Sequence, residues 1–183
     1  MEEKTADERK ELIKSIIDIE QDMFVSVQTS ESSPCQENLK TFRVMRWMNH
    51  STHGDEFLDS YYQDLVEAQQ EERNLMTEKY AIIQGLIPSN VTDTMNYIIL
   101  FETQWLGELK EKYPNLFRKV GGFNAYFEAE LQVISKKSLD LYHKEVMDGV
   151  NTDRNLVKER YENLYRYLGY NSLEEVNAKS APA

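Results

Sequence analysis

Two glutamates sit where a solvated carboxylate does not belong. Glu20 falls among Ile16, Ile17, Met23 and Phe24, and Glu102 among Ile98, Ile99, Trp105 and Leu106, so on a helix each would project near the apolar stripe. An unpaired buried carboxylate is costly, so each needs a cation and hydrogen-bond donors. The partners expected from the sequence are Arg73 and Arg154, with the hydroxyls of Tyr61, Tyr142, Tyr80 and Tyr161 in support. Such a cluster has two readings. One is structural, holding a helix corner in each half. The other is a pocket in which Glu20 and Glu102 bind a polar or cationic ligand, or work as acid and base with shifted pKa values.

A second concentration of chemistry runs from Cys35 to His53, CQENLKTFRVMRWMNHSTH, with the sole cysteine, two of the three histidines, and Arg43, Arg46 and Trp47. Arg43 and Arg46, three apart on a helix, make a small basic face suited to a carboxylate or phosphate, or else balance nearby acids in solvent. Cys35 with His50 or His53 has the residue types of a nucleophile and its base, although a lone cysteine more often simply packs. Metal binding is not expected. Neither His50 nor His53 has the Glu three residues before it that a carboxylate-bridged di-iron bundle uses, and His143 follows Asp140 instead. Cys35, His50 and His53 also lack a compact zinc spacing. Gly121-Gly122 alone is no phosphate loop.

The elements that must position these residues are written twice. RNLMTEKY, Arg73 to Tyr80, returns eighty-one residues later as RNLVKERY, Arg154 to Tyr161. Aligning Leu58 to Tyr80 with Leu139 to Tyr161 gives eight identities in twenty-three positions, where unrelated sequence gives roughly one or two, and this signals an internal duplication. At an offset of eighty-two, IIDIEQDMF faces IILFETQWL and Glu20 meets Glu102.

Each half reads as helical. Thr5-Ala6-Asp7-Glu8 is a capping box, and Leu12, Ile16, Ile19, Met23 and Val27 recur as one buried helix face. Further helices are expected over Leu39 to Met48, over Phe57 to about Gln70 with Leu58, Tyr61, Leu65 and Ala68 inward, and from Leu75 onward with Asn74 as N-cap. The second half repeats the scheme from about Thr94 to Lys112, Phe123 to Ile134, Ser138 to about Val150 and Leu156 to Leu168, with a break at Tyr113-Pro114 and Gly121-Gly122 and a C-terminal cap at Gly169. Ser172 to Glu175 is another capping box. No stretch alternates as a strand does. The expected fold is therefore all-α: one domain over 1–183, with two tandem related multi-helix units, about 5–86 and 94–170, packed pseudo-symmetrically, and a short tail helix with a frayed end over 171–183.

Composition bounds the function. With 32 acidic and 21 basic residues the net charge is −11, which repels phosphate backbones and disfavours nucleic acid as a partner. A helical ribonuclease using Arg46 and His53, at an Arg-x6-His spacing, is thereby disfavoured. One cysteine suits a reducing compartment, no apolar run is long enough for a bilayer, and the N-terminus lacks a signal-peptide pattern, so a cytoplasmic location is expected. The sequons at Asn49 and Asn90 are then chance matches.

At CQENLKTFRVMR and SYYQDLVEAQQEERNLMTEKYA the chain resembles an uncharacterised bacterial domain-of-unknown-function family. Its Cys-Gln, Thr-Phe, Met-Arg series precedes an Arg-Asn-Leu-Met-Thr-Glu-Lys-Tyr block. Cys35, Gln36, Thr41, Phe42, Met45, Arg46, Arg73, Asn74, Glu78, Lys79 and Tyr80 carry the likeness. The resemblance implies a helical, bacterial, cytoplasmic protein and brings no activity.

The leading expectation is a module that binds a small molecule or peptide near the first-half helix corner, through Glu20, Cys35, Arg46, Trp47, Tyr61, Arg73, Glu78 and Tyr80. Arg46 would hold an anion, and Tyr61 or Trp47 would form an apolar wall. Glu102, Tyr142, Arg154, Glu159 and Tyr161 are the repeat counterparts. An enzyme would use Glu20 or Glu78 as general base and Arg46 or Arg73 to stabilise negative charge. No cofactor or metal is expected. A homo-oligomer remains open through Tyr126, Phe127, Trp105 and Tyr165.

Overall fold

The computed structural model describes residues 4–27, 38–118 and 123–181. Among them the chain is all-α, with nine helices and no strand. These are α1 (Ala6–Val25), α2 (Leu39–His50), α3 (Asp55–Gln70), α4 (Leu75–Ile83), α5 (Asp93–Lys112), α6 (Phe123–Val133), α7 (Lys136–Asn151), α8 (Leu156–Tyr167) and α9 (Leu173–Lys179). No described helix is long and apolar enough to cross a membrane. Cys35, Gln36 and Gly121-Gly122 lie outside the described residues.

Local chemistry sets the helix ends. Thr5 and Glu8 form the full reciprocal capping box of α1. Ser172 accepts from the Glu175 amide, but the Glu175 carboxylate reaches the amide of Asn171, so the box expected at α9 is one-sided. Gly169 ends α8 at φ +89°, which glycine adopts without Cβ strain. Ile13, Ile16, Ile17, Glu20, Met23 and Phe24 are buried along α1, while Leu12 and Ile19 flank that stripe half-buried.

The repeated Arg-Asn-Leu motif builds the same corner twice. Glu72 and Asp153 take left-handed conformations, φ 56° and 55°. The next amides reach back across the ends of α3 and α7, Arg73 to the Ala68 carbonyl and Arg154 to the Gly149 carbonyl, each at 2.8 Å. This is the hydrogen-bond pattern of a Schellman stop. Asn74 and Asn155 then cap the following helices, accepting from the amides of Thr77 and Lys158. Their side-chain amides also donate to the carbonyls of Met23 and Trp105, which ties each corner to α1 or α5.

Packing follows from these corners. Helix α1 contacts α2, α3 and α4, and α5 contacts α6, α7 and α8. Between the two sets, α3 lies on α7, α2 reaches across to α8, and α6 to α4. The α3–α7 approach is close enough for the buried hydroxyls of Ser60 and Ser138 to bond at 2.9 Å. One apolar core runs through both sets, from Ile16, Leu58 and Leu65 to Ile98, Leu131 and Val146. Trp105 belongs to that core and is not available to a partner, whereas Tyr126 is half exposed.

Candidate functional site

Glu20 is completely buried on α1, and its carboxylate is answered from two other helices. Arg46 of α2 donates through Nε at 2.8 Å and also through Nη2. The Tyr61 hydroxyl of α3 donates at 2.8 Å, and His50 Nε2 lies 3.1 and 3.2 Å from the two oxygens. Burial works to raise this carboxyl, but the Arg46 charge and the His50 contact overcome it and hold the group well below the usual carboxylate range. Arg46 continues through Nη1 to Glu130 of α6 at 2.7 Å. Burial likewise opposes ionisation of Glu130, and Arg46 and Lys79 outweigh it.

Glu102, equally buried, is held by a shorter list. Arg160 of α8 donates through Nη1 at 2.9 Å and through Nη2, and the Tyr142 hydroxyl of α7 donates at 3.0 Å. Burial raises both tyrosine hydroxyls well above their ordinary range, so Tyr61 and Tyr142 act as neutral donors.

The expected cation is therefore replaced at both carboxylates. Arg73 forms a two-point pair with Glu78 at the surface and also meets Glu71; Arg154 pairs with Glu159 in the same way. Their position before the helix cap directs the side chains along the outside of the corner, away from Glu20 and Glu102. Arg46 is not free to hold an anion, since Glu20 and Glu130 take its donors, and Arg43 is occupied by Asp18 and Gln21. That removes the basic face expected of the pair, and with it the charge a ribonuclease reading needs from Arg46. Glu20 is locked as a paired anion and Glu78 as a surface ion pair, so neither is placed as a general base.

The remaining expected residues disperse. Trp47 packs on Tyr167, ring centroids 5.0 Å apart, on another face of α2. Tyr80 lies between Phe24 and Tyr126. Cys35 falls outside the described residues. Of the first-half candidates, the structure brings together Glu20, Arg46 and Tyr61.

Beside this cluster is a cavity of about 410 Å³ where α2, α3, α6, α7 and α8 converge. Met48, Phe57, Phe127, Leu131 and Ile134 give it apolar walls, with Tyr61, Tyr142 and Tyr161 among the aromatics. Met45 and Tyr126, both partly exposed, also line it. Its polar residues are Asn49, His50, His53, Glu130 and Arg160. Two of these imidazoles are each anchored by a carboxylate. A carboxylate only accepts, so neutral His50 carries its proton on Nε2 toward Glu20. Its Nδ1 is buried and has no hydrogen-bond partner. His53 sits in the turn after α2, with Nδ1 2.6 Å from Glu145, whose other oxygen accepts the Gly54 amide at the start of α3. The His53 ring stacks on Phe57 and meets Tyr142 edge-on, 6.4 Å from the His50 ring. Burial pushes the His50 pKa down despite the pull of Glu20, which keeps the ring neutral.

Glu130, Arg160 and Glu145 are not suggested by the sequence pattern, and His50 and His53 are suggested by it only as a base beside Cys35, as zinc ligands or, for His53, as a partner of Arg46. One signal was present: the offset that pairs Tyr80 with Tyr161 also pairs Lys79 with Arg160, a basic position inside the repeated motif. Among the described residues no group of three or more His, Cys, Asp or Glu could hold a metal ion. No curated protein and no solved structure shows significant similarity to the chain. A family model described as "protein of unknown function (DUF4125)" matches residues 10–178. The all-helical architecture around a buried two-carboxylate core thus belongs to a member of that family.

Proposed function

We propose that the chain binds a small, largely apolar molecule in the cavity between α2, α3, α6, α7 and α8. The observation that carries this reading is a space of about 410 Å³, within the range of small-molecule sites, whose wall is mainly aromatic and aliphatic with a few fixed polar groups. Its charged lining residues, Glu130 and Arg160, are each neutralised by a partner, which favours an uncharged occupant. We also read α1–α4 and α5–α8 as products of one duplication, supported by the twice-built Arg-Asn-Leu corner. The cavity then lies where the two units meet.

Native mass spectrometry of gently purified protein tests the binding reading. Wild type is expected to retain a small mass, or to take up a neutral aromatic fragment. Ile134→Trp, which fills the cavity from its wall, is expected to lose that mass while keeping its circular dichroism. A wild type that neither retains nor takes up a small molecule overturns it.

A second reading, proton-transfer catalysis, is favoured by the two carboxylate-anchored imidazoles on one cavity. A carboxylate that orients an imidazole and stabilises its protonated form is a recurring arrangement for general bases. On this reading His50 and His53 take the roles that the sequence suggested for glutamates, with Arg160 beside them. Solvent deuterium appearing in a recovered ligand, and absent with His50→Phe, would support it. A recovered ligand free of deuterium would contradict it.

A further inference from the structure

His50 is the one described residue whose buried side chain holds a polar atom with no hydrogen-bond partner. An unmet acceptor costs as much as a lost hydrogen bond, so a retained one calls for an explanation. The ring is fixed from one side only. Nε2 is committed to Glu20, which lies behind the cavity wall, while His50 itself lines the cavity. The two nitrogens of an imidazole point in widely different directions, so Nδ1 is turned away from Glu20. The proton faces the Glu20 carboxylate in preference to the longer, 3.5 Å contact of Nε2 with Arg46 Nη2, which leaves Nδ1 a bare lone pair, sealed in this conformation so that an occupant meets it only as the cavity wall shifts.

Several of the other polar groups nearby are already paired. Tyr61 donates to Glu20, Tyr142 to Glu102, Arg160 to Glu102, and His53 is anchored on Glu145. The wall also carries Asn49, Tyr161 and the Nε2 of His53, whose Nδ1 faces Glu145, but among the described residues His50 Nδ1 is the buried polar atom left without a partner. We infer that the ligand is an uncharged, mainly apolar ring compound carrying one N–H or O–H donor, which meets His50 Nδ1. This rests on the cavity being the binding site, and it adds the chemical class of the occupant.

Matched ring fragments separate the two claims. Indole and 1-benzothiophene have nearly the same shape, but only indole has a donor. The ratio of their affinities, measured by calorimetry on wild type and on His50→Phe, is expected to favour indole about tenfold more in wild type, the effect of leaving a buried polar group unmet. A readout on wild type alone covers the case in which the variant does not fold. The ¹⁵N resonance of His50 Nδ1 should move away from its bare lone-pair position with indole and stay there with 1-benzothiophene. Equal ratios in the two proteins, or equal ¹⁵N responses to the two fragments, overturn the donor assignment and leave the cavity reading standing. Absence of binding by either fragment overturns both.

Discussion

Arg46 and Glu20 form a two-point ion pair between α2 and α1, with the carboxylate completely buried and the arginine nearly so. Because Arg46 also reaches Glu130 on α6, one side chain links helices from both sets. Removing it would strand two carboxylates. Arg46→Ala is expected to destabilise the fold by about 3–5 kcal/mol, the usual cost of breaking a buried pair from one side. Arg73→Ala breaks an equally well-formed pair at the surface and should cost about 1 kcal/mol or less. Urea unfolding of both variants checks the contrast, and comparable losses would contradict it.

The corner geometry makes a prediction of opposite sign. Glu72 holds φ 56° at the end of α3, a conformation that costs a non-glycine residue roughly 1 kcal/mol. Glu72→Gly should therefore raise stability by up to about 1 kcal/mol. Asn74→Ala, which removes both the cap of α4 and the tie to the Met23 carbonyl, should lower it by about 1–2 kcal/mol. Thermal melts of the two variants would show shifts in opposite directions.

The buried groups also set how stability depends on pH. Burial places the folded-state pKa of His50 below its ordinary value. The unfolded chain therefore binds this proton first as the pH falls. His50 should contribute stability fully above about pH 6.5 and lose it progressively below, at up to about 1.4 kcal/mol per pH unit. Glu20 follows the usual carboxylate pattern: its folded pKa is depressed, so its contribution is complete above about pH 4.3 and is lost as the pH falls further. Denaturant titrations at pH 8, 6, 5 and 4 should show a decline already below pH 6.5, smaller in His50→Phe. A profile identical in the two proteins would contradict the assignment.

Periodicity along each helix made the architecture legible, because one face of α1 or α3 repeats its apolar residues within a few positions. The repeated motif marked the corners for the same local reason: Asn74 and Asn155 cap the helices they immediately precede. The site was harder to read because its partners are distant in sequence. Glu20 and Glu102 could be identified as buried carboxylates needing cations, but choosing Arg46 over Arg73 depends on α2 crossing the bundle, and choosing Arg160 over Arg154 depends on which face of α8 turns inward. His50 illustrates the limit most clearly. Its bonds to Glu20 and its partnerless nitrogen arise from the packing of α1, α2 and α3, and no local pattern in the chain announces them.

The most direct test of the cavity as a binding site is side-chain NMR during titration with indole. Shifts are expected to concentrate on His50, His53, Tyr61, Tyr142 and Phe127, to saturate with a single affinity, and to vanish in Ile134→Trp. Shifts scattered over the outer surface, or a cavity whose resonances stay still at saturating indole, would contradict it.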